Sequence, residues 1–391
     1  MSAKVDPRSI AFEILARHMS DEAAEVLVQA LQCGDDVARR MAAATVVQRP
    51  DQQSILDIIR RVDSLDETAC NEFSRSPDRF HEALEQAISG PDDAMRSTAI
   101  RFIRRTGNFE QFATLLDELG SADEVFCESA EAAAIELASQ MAERLRTNNE
   151  SIFPGLDGAT LRTYRSTILN ELDARTKRFD DLPKPEAFLR LILILGGPDD
   201  AAVRNLFTKR GEPCRNVAVK LLSEDLHPAL LNLLGDFLAY HVPPPAVIGV
   251  LRTRADFEFV LHLLKQLPKQ PSGSLAFNLA RLTALSWFQN PMDLVERLPT
   301  SVHDRLVGAI NHLPVDEEIR TKVKTWIVRQ SSGAGREAAS DVLKLLPAGE
   351  ASQILYDALE DTDSEVEAWA IRHLRTQKLP DTFEKLLKRL D

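Results

Sequence analysis

Two stretches far apart in this chain spell nearly the same helix. DDAMRSTAIRFIRR occupies residues 92 to 105 and DSEVEAWAIRHLRT occupies 363 to 376. A chain that repeats one helix nearly three hundred residues later is built from units, and an array of units constrains the fold more than any local propensity does. With Asp92 as position zero, Met95, Ala99, Ile100 and Ile103 lie at +3, +7, +8 and +11, the spacing of one helix face. The same offsets give Val366, Ala370, Ile371 and Leu374 from Asp363. They give Ala38, Ala42, Ala43 and Val46 from Asp35, and Cys214, Ala218, Val219 and Leu222 from Gly211. Two weaker copies begin at Val302 and Ser332.

About twenty residues after most of these starts comes a second stripe at i, i+3, i+4 and i+7. It reads Ile55, Ile58, Ile59, Val62; Phe112, Leu115, Leu116, Leu119; Leu230, Leu233, Leu234, Phe237; Ala351, Ile354, Leu355, Ala358; and Phe383, Leu386, Leu387, Leu390. Two amphipathic helices joined by a short turn form an αα-hairpin. The starts are 57, 119, 91, 30 and 31 residues apart, close to multiples of thirty. Leu-Pro at 313–314, 346–347 and 379–380 stops a helix, because proline lacks the amide donor and its predecessor avoids the helical region. Asp35, Asp92 and Asp363 stand where an N-cap meets exposed amides. No segment alternates as a half-buried strand does.

The spacing therefore predicts an all-α chain, an α-solenoid of stacked antiparallel helix pairs with a period of about 30 residues. Between 123 and 184 the repeat degrades into longer acidic helices, flanked by repeats over 1–122 and 185–391. NNESIFPGLDG (148–158) reads as a loop followed by a longer helix, HVPPP (241–245) reads as an inter-helix turn, and GPDDAAVR (197–204) echoes residues 90–96 out of phase.

These helix starts resemble the shorter bacterial HEAT-like repeats. The pattern is D-x-x-hydrophobic-R-x-x-A-hydrophobic, spelled out from Asp92 through Met95, Arg96, Ala99 and Ile100. Asp35 onward keeps Arg39 and Ala42, Gly211 onward keeps Arg215 and Ala218, and Asp363 onward keeps Val366 and Ala370 but carries Glu367 in place of arginine. The resemblance implies a curved right-handed stack whose concave side holds a partner. It also implies two alternatives, a nucleic-acid-binding protein of the DNA glycosylase type and a chromophore-handling protein of the bilin-lyase type.

The charge balance bears on that choice. The chain carries a formal net charge of −13, which disfavours unspecific adhesion to nucleic acid or anionic membrane. Residues 121–160 hold eight acidic and two basic groups, or −6 of the total. Yet on the first helix of each unit, positions +5, +9 and +12, opposite the apolar stripe, include Arg40, Arg101, Arg104, Lys220, Lys344, Arg372 and Arg375 against Glu337 and Asp341. Those seven cations either line a groove for an acidic protein partner, with Trp369 as an anchor, or serve helix ends and neighbouring acids.

Elsewhere the residues point away from catalysis. No phosphate loop, nucleophile elbow or H-E-x-x-H occurs, and the eight histidines lack metal spacing and read as surface or capping residues. The Asp pairs 35–36, 92–93 and 199–200 each precede a helical stripe, where capping accounts for them. The four cysteines, without C-x-x-C, read as small buried hydrophobes. The expectation is a cytoplasmic, non-catalytic scaffold or adaptor with no cofactor, no metal and no membrane span.

Overall fold

The structure, a computed structural model, describes residues 7–377 except 50, 122, 154 and 332. Among the described residues it is all-α, with 23 α-helices and no strand. The chain divides into two compact units, one of Met1–Gly196 with Asp200–Ala218 and the other of Gly197–Asp199 with Val219–Asp391.

The first unit holds α1 (Pro7–Arg17), α2 (Asp21–Cys33), α3 (Asp36–Gln48), α4 (Gln52–Arg60), α5 (Glu67–Phe73) and α6 (His81–Ser89). It continues with α7 (Asp93–Thr106), α8 (Phe112–Leu119), α9 (Glu124–Thr147), α10 (Gly158–Arg175), α11 (Pro185–Leu195) and α12 (Ala201–Thr208). Its contacts alternate. Helix α1 touches α3, α3 touches α5, and the row runs on through α7 and α9 to α11; opposite it α4 touches α6, and α8 touches α10, which touches α12. Cross-packing of α2 on α3, α6 on α7 and α8 on α9 closes the core between the rows.

Helix α13 (Glu212–Glu224) runs across the boundary between the units. The second unit contains α14 (Pro228–Ala239), α15 (Pro245–Thr253), α16 (Phe257–Gln266), α17 (Gly273–Ala280) and α18 (Pro291–Arg297). It ends with α19 (His303–Ile310), α20 (Glu317–Gln330), α21 (Gly333–Ala339), α22 (Ala348–Leu359) and α23 (Ser364–Gln377). Here α16, α19, α21 and α23 touch in order, as do α18, α20 and α22.

The repeated stripes are the core. Ala42, Ala99, Ala218 and Ala370, all at +7, are fully buried, so neighbouring helices approach closely at each of them. Every member of the four second-helix stripes within the described residues is also buried. The stripe Phe383–Leu390, the Leu-Pro at 379–380 and the start at Ser332 lie outside the described residues. Capping is as expected: Asp35 Oδ1 accepts from the Ala38 amide at 2.8 Å, Asp92 Oδ1 from those of Ala94 and Met95 at 3.0 and 3.2 Å, and Asp363 Oδ1 from that of Glu365 at 2.9 Å.

The arginine at +4 has a structural task. Arg39 donates to Asp66 Oδ2 at 2.8 Å, and Arg96 pairs with Glu118 while its guanidinium lies 4.0 Å from the centre of the Phe126 ring. Each ties a first helix to an acid farther along the chain.

In the middle region α9 and α10 are the two longest helices of the described chain, yet they keep the alternation, α9 in the row of α7 and α11 and α10 in that of α8 and α12. The out-of-phase echo at 197–204 has a plain cause. It starts α12, a helix of the second row, and its Asp200 pairs with Arg165 instead of capping. All four cysteines carry free thiols, and Cys33 is exposed rather than buried. No helix among the described residues is long and apolar enough to cross a membrane.

Candidate partner-binding surface

The seven cations fall in both units. Arg40 on α3 and Arg101 and Arg104 on α7 belong to the first; Lys220 on α13, Lys344 in the 3-10 turn after α21, and Arg372 and Arg375 on α23 belong to the second. None lies in an apolar stripe, because the 100° turn per residue that buries +7 and +11 leaves +5, +9 and +12 on the far side.

Three of them have acidic neighbours. Arg101 Nη2 lies 3.3 Å from Asp63 Oδ2, Arg104 Nε lies 3.3 Å from Glu136 Oε2, and Arg372 Nη2 donates to Glu337 Oε2 at 3.2 Å. These pairs are solvent-exposed, so each contributes at most about 1 kcal/mol and can exchange its acid for another. Arg40, Lys220, Lys344 and Arg375 are exposed and have no acidic partner among the described residues. Around Glu337 the structure brings Arg372 and His373 together, with Lys344 close enough to disfavour protonation of His373. Burial is the larger cause holding the His373 ring below the usual histidine range, with Glu337 acting in the opposite direction.

Trp369 is not where an exposed anchor would be. It is 3% exposed, its Nε1 donates to Ser340 Oγ at 3.0 Å, and the Arg336 guanidinium lies 5.4 Å from its ring centre. Position +6 from Asp363 turns far enough toward the +3 and +7 positions for a large ring to be drawn into the core, which a wheel of equal-sized residues does not reveal. His303 departs from expectation in the same way. It is 1% exposed, with Nδ1 3.1 Å from Ser331 Oγ and Nε2 3.2 Å from the Leu298 carbonyl, and burial lowers its basicity.

The acidic block of 121–160 also finds its place. Glu136 faces Arg104 of α7, and Glu131 lies 3.5 Å from Lys184 at the entry to α11, so α9 supplies negative charge to the helices on both sides.

Other arginines hold the fold together. Arg49 is buried; it donates to Asp51 Oδ2 at 2.7 Å and to the carbonyls of Leu15 and His18 at 3.1 and 2.7 Å. Arg254 repeats the arrangement, donating to Asp256 Oδ2 at 2.6 Å and to the carbonyls of Leu222 and Asp225 at 2.7 and 3.0 Å. In each case the aspartate two residues on caps the next helix, α4 or α16. The guanidinium satisfies carbonyls that a helix end leaves open. Both clamps are spelled Arg-x-Asp, but the same spelling also stands at 61–63, 178–180 and 389–391, so the sequence alone does not single them out.

One polar cluster gathers ionisable groups without metal-binding geometry. Tyr164 donates to Glu110 Oε1 at 3.1 Å, tying α10 to the turn at 109–111. Burial, then the Asp78 carboxyl, raises the Glu110 carboxyl, and the Tyr164 phenol is pushed up to about 12 by burial and by Glu110. No group of three or more His, Cys, Asp or Glu side chains among the described residues could hold a metal ion. No family model matches the chain, and no curated protein matches it.

Proposed function

We propose that the chain is a non-catalytic scaffold, a HEAT-like α-solenoid that binds a protein partner with an acidic surface along the face formed by the first helices. The observation that carries this reading is the alternation of contacts within each unit: in the first, α1, α3, α5, α7, α9 and α11 touch in succession, and in the second α19, α21 and α23 do, as do α18, α20 and α22. A thirty-residue helix pair cannot close a core alone, so stacking buries the apolar stripes and leaves the first-helix side, the concave side of a HEAT-like stack, free for binding. On the first helices of the first unit Arg40, and on those of the second unit Lys220, Lys344 and Arg375, are exposed without acidic partners among the described residues. Arg101, Arg104 and Arg372 hold only exposed pairs that a partner's carboxylates can replace.

The test is recovery of a partner from the native host with the wild-type chain and with Arg101→Glu/Arg372→Glu. Recovery of one acidic protein, reduced at high salt and lost in the double variant, supports the reading. Equal recovery by both chains rejects the cationic face. Duplex DNA bound with a salt dependence of several counterions would instead support the nucleic-acid alternative.

A further inference from the structure

The first unit opens on a helix that buries nothing. On α1 Ser9, Phe12, Leu15 and Ala16 are half-buried on the side that meets α3, and none of its residues is fully buried. Ile10 and Ile14, one turn apart on the opposite side, are 54% and 55% exposed. Helices α3, α5, α7 and α9 each have a neighbour in the row on both sides, whereas α1 has only α3 among the described residues. The outer side of a terminal unit in a stacked array is ordinarily polar, because an apolar one invites association.

Helix α2 completes this end face, and the contacts of α3 fix its direction. Arg8 donates to Asp35 Oδ2 at 2.9 Å at the start of α3, while Arg49, past its end, donates to the carbonyls of Leu15 and His18, so α1 runs parallel to α3. Only Gly34 and Asp35 separate α2 from α3, so α2 runs antiparallel to both. Its Ala23, Leu27 and Leu31 are buried, and Ala24, Glu25 and Val28 line the cleft toward α4. That leaves Glu22, Val26, Gln29 and Cys33, at i, i+4, i+7 and i+11, on the outer side, all of them exposed and Val26 to 48%.

The two outer stripes answer each other in order. Outward from the turn at 18–20, α1 presents Arg17, Ile14 and Ile10, and α2 presents Glu22, Val26 and Gln29, at matching heights for a rise of about 1.5 Å per residue. A two-fold rotation about an axis parallel to these helices lays α1 of one copy antiparallel on α2 of another. Arg17 then meets Glu22 of the second copy, Ile14 meets Val26 and Ile10 covers Gln29, and the symmetry makes each contact twice. Within its own chain Arg17 is paired with Glu13 at 3.0 Å, an exposed pair that exchanges readily.

We propose that this end face is the contact between two copies of the chain, an isologous dimer in which α1 and α2 of each copy cross-pair with α2 and α1 of the other. A second copy is the occupant because one face carries, in a single register, both the cation and the acid that complement each other across the two-fold axis. Two helices of 11 and 13 residues, about 20 Å long and together about 20 Å wide, offer roughly 400 Å², so the dimer is reversible, with Kd on the order of tens of micromolar. The face shares no residue with the cationic partner-binding surface, and either can fail without the other.

The experiment is sedimentation velocity of the full chain at concentrations on either side of that value, with a monomer–dimer equilibrium as the expected result. Ile10→Glu/Ile14→Glu, at exposed positions, should weaken association about tenfold or more. Arg17→Glu should weaken it too, and Arg17→Glu/Glu22→Arg should restore it, a rescue that a loss of helix stability would not produce. Far-ultraviolet circular dichroism and thermal melts establish that the variants are folded. Cys33 is the one exposed thiol of the four, so a nitroxide placed there should report a single distance below about 30 Å between the two copies. A chain that stays monomeric, undiminished association in the folded isoleucine variant, no rescue by the charge exchange, or Cys33 labels held far apart as head-to-tail stacking would place them, would each overturn the proposal.

Discussion

The ring of Phe153 occupies the place where a β-carbon on Gly107 would lie, so a loop residue and a helix C-cap forty-six positions apart exclude every side chain but hydrogen at 107. Gly107 also has φ of +64°, the left-handed conformation that ends α7 and lets its amide bond back to Ile103. Phe153 stacks edge-on against Phe109 at 4.8 Å between ring centres, which holds the loop over the helix end.

Gly107→Ala should therefore destabilise the first unit twice over, by roughly 1–2 kcal/mol for the left-handed backbone and by a further contribution from the ring it displaces. Phe153→Ala alone removes a ring contact. The double variant should lose less than the sum of the two, because the clash is gone; urea titrations followed by circular dichroism measure that non-additivity. Strict additivity would mean that the ring does not press on position 107.

Arg254→Ala should cost about 3 kcal/mol, since it leaves the Leu222 and Asp225 carbonyls and the Asp256 carboxylate without their shared donor in a buried setting. Arg254→Lys should recover little, because one ammonium cannot span three acceptors. The three tryptophans, 287, 326 and 369, all lie in the second unit, so intrinsic fluorescence during denaturation reports on the unit that Arg254 holds.

Ala370→Leu should destabilise that unit by about 1–3 kcal/mol through overpacking, as Ala370 is fully buried on α23 where it meets α21 and α22. Ala368→Ser, two positions away and exposed, is the control and should leave the fluorescence-detected midpoint near that of the wild type.

The buried His303 sets a pH dependence whose sign is fixed. Burial lowers its folded pKa below the ordinary 6.5, so the unfolded chain binds the proton more readily. Stability is complete above that ordinary value, falls as the pH drops below it, and levels off once the pH has passed the folded pKa. Asp304, beside it, opposes the shift, and His373 adds a loss in the same direction for the same reason. His303→Gln should flatten the slope of unfolding free energy between neutral and mildly acidic pH, and an unchanged slope would assign the dependence to other groups.

Much of the helical framework was legible before any coordinates. The i, i+3, i+4, i+7 stripes, the alanines at +7, the aspartate caps and the Leu-Pro stops are local or periodic features, and among the described residues burial follows the stripes except at Ala38, Val219 and Ile371, which are half-buried. Residues such as Trp369 and His303 were not legible in the same way. A helical wheel gives an angle and says nothing of how far a neighbouring helix reaches around it, so a ring at the edge of a stripe and a histidine at a helix start were both drawn into the core.

What the sequence determined by itself was the all-α class and the inward face of each repeated helix, because both rest on spacing along one chain and on side-chain chemistry at single positions. What only the tertiary structure decided was which charges meet. Arg104 found Glu136, and Arg372 found Glu337. Those pairings join residues tens of positions apart, and electrostatic contact depends on ångström separations that no periodicity encodes.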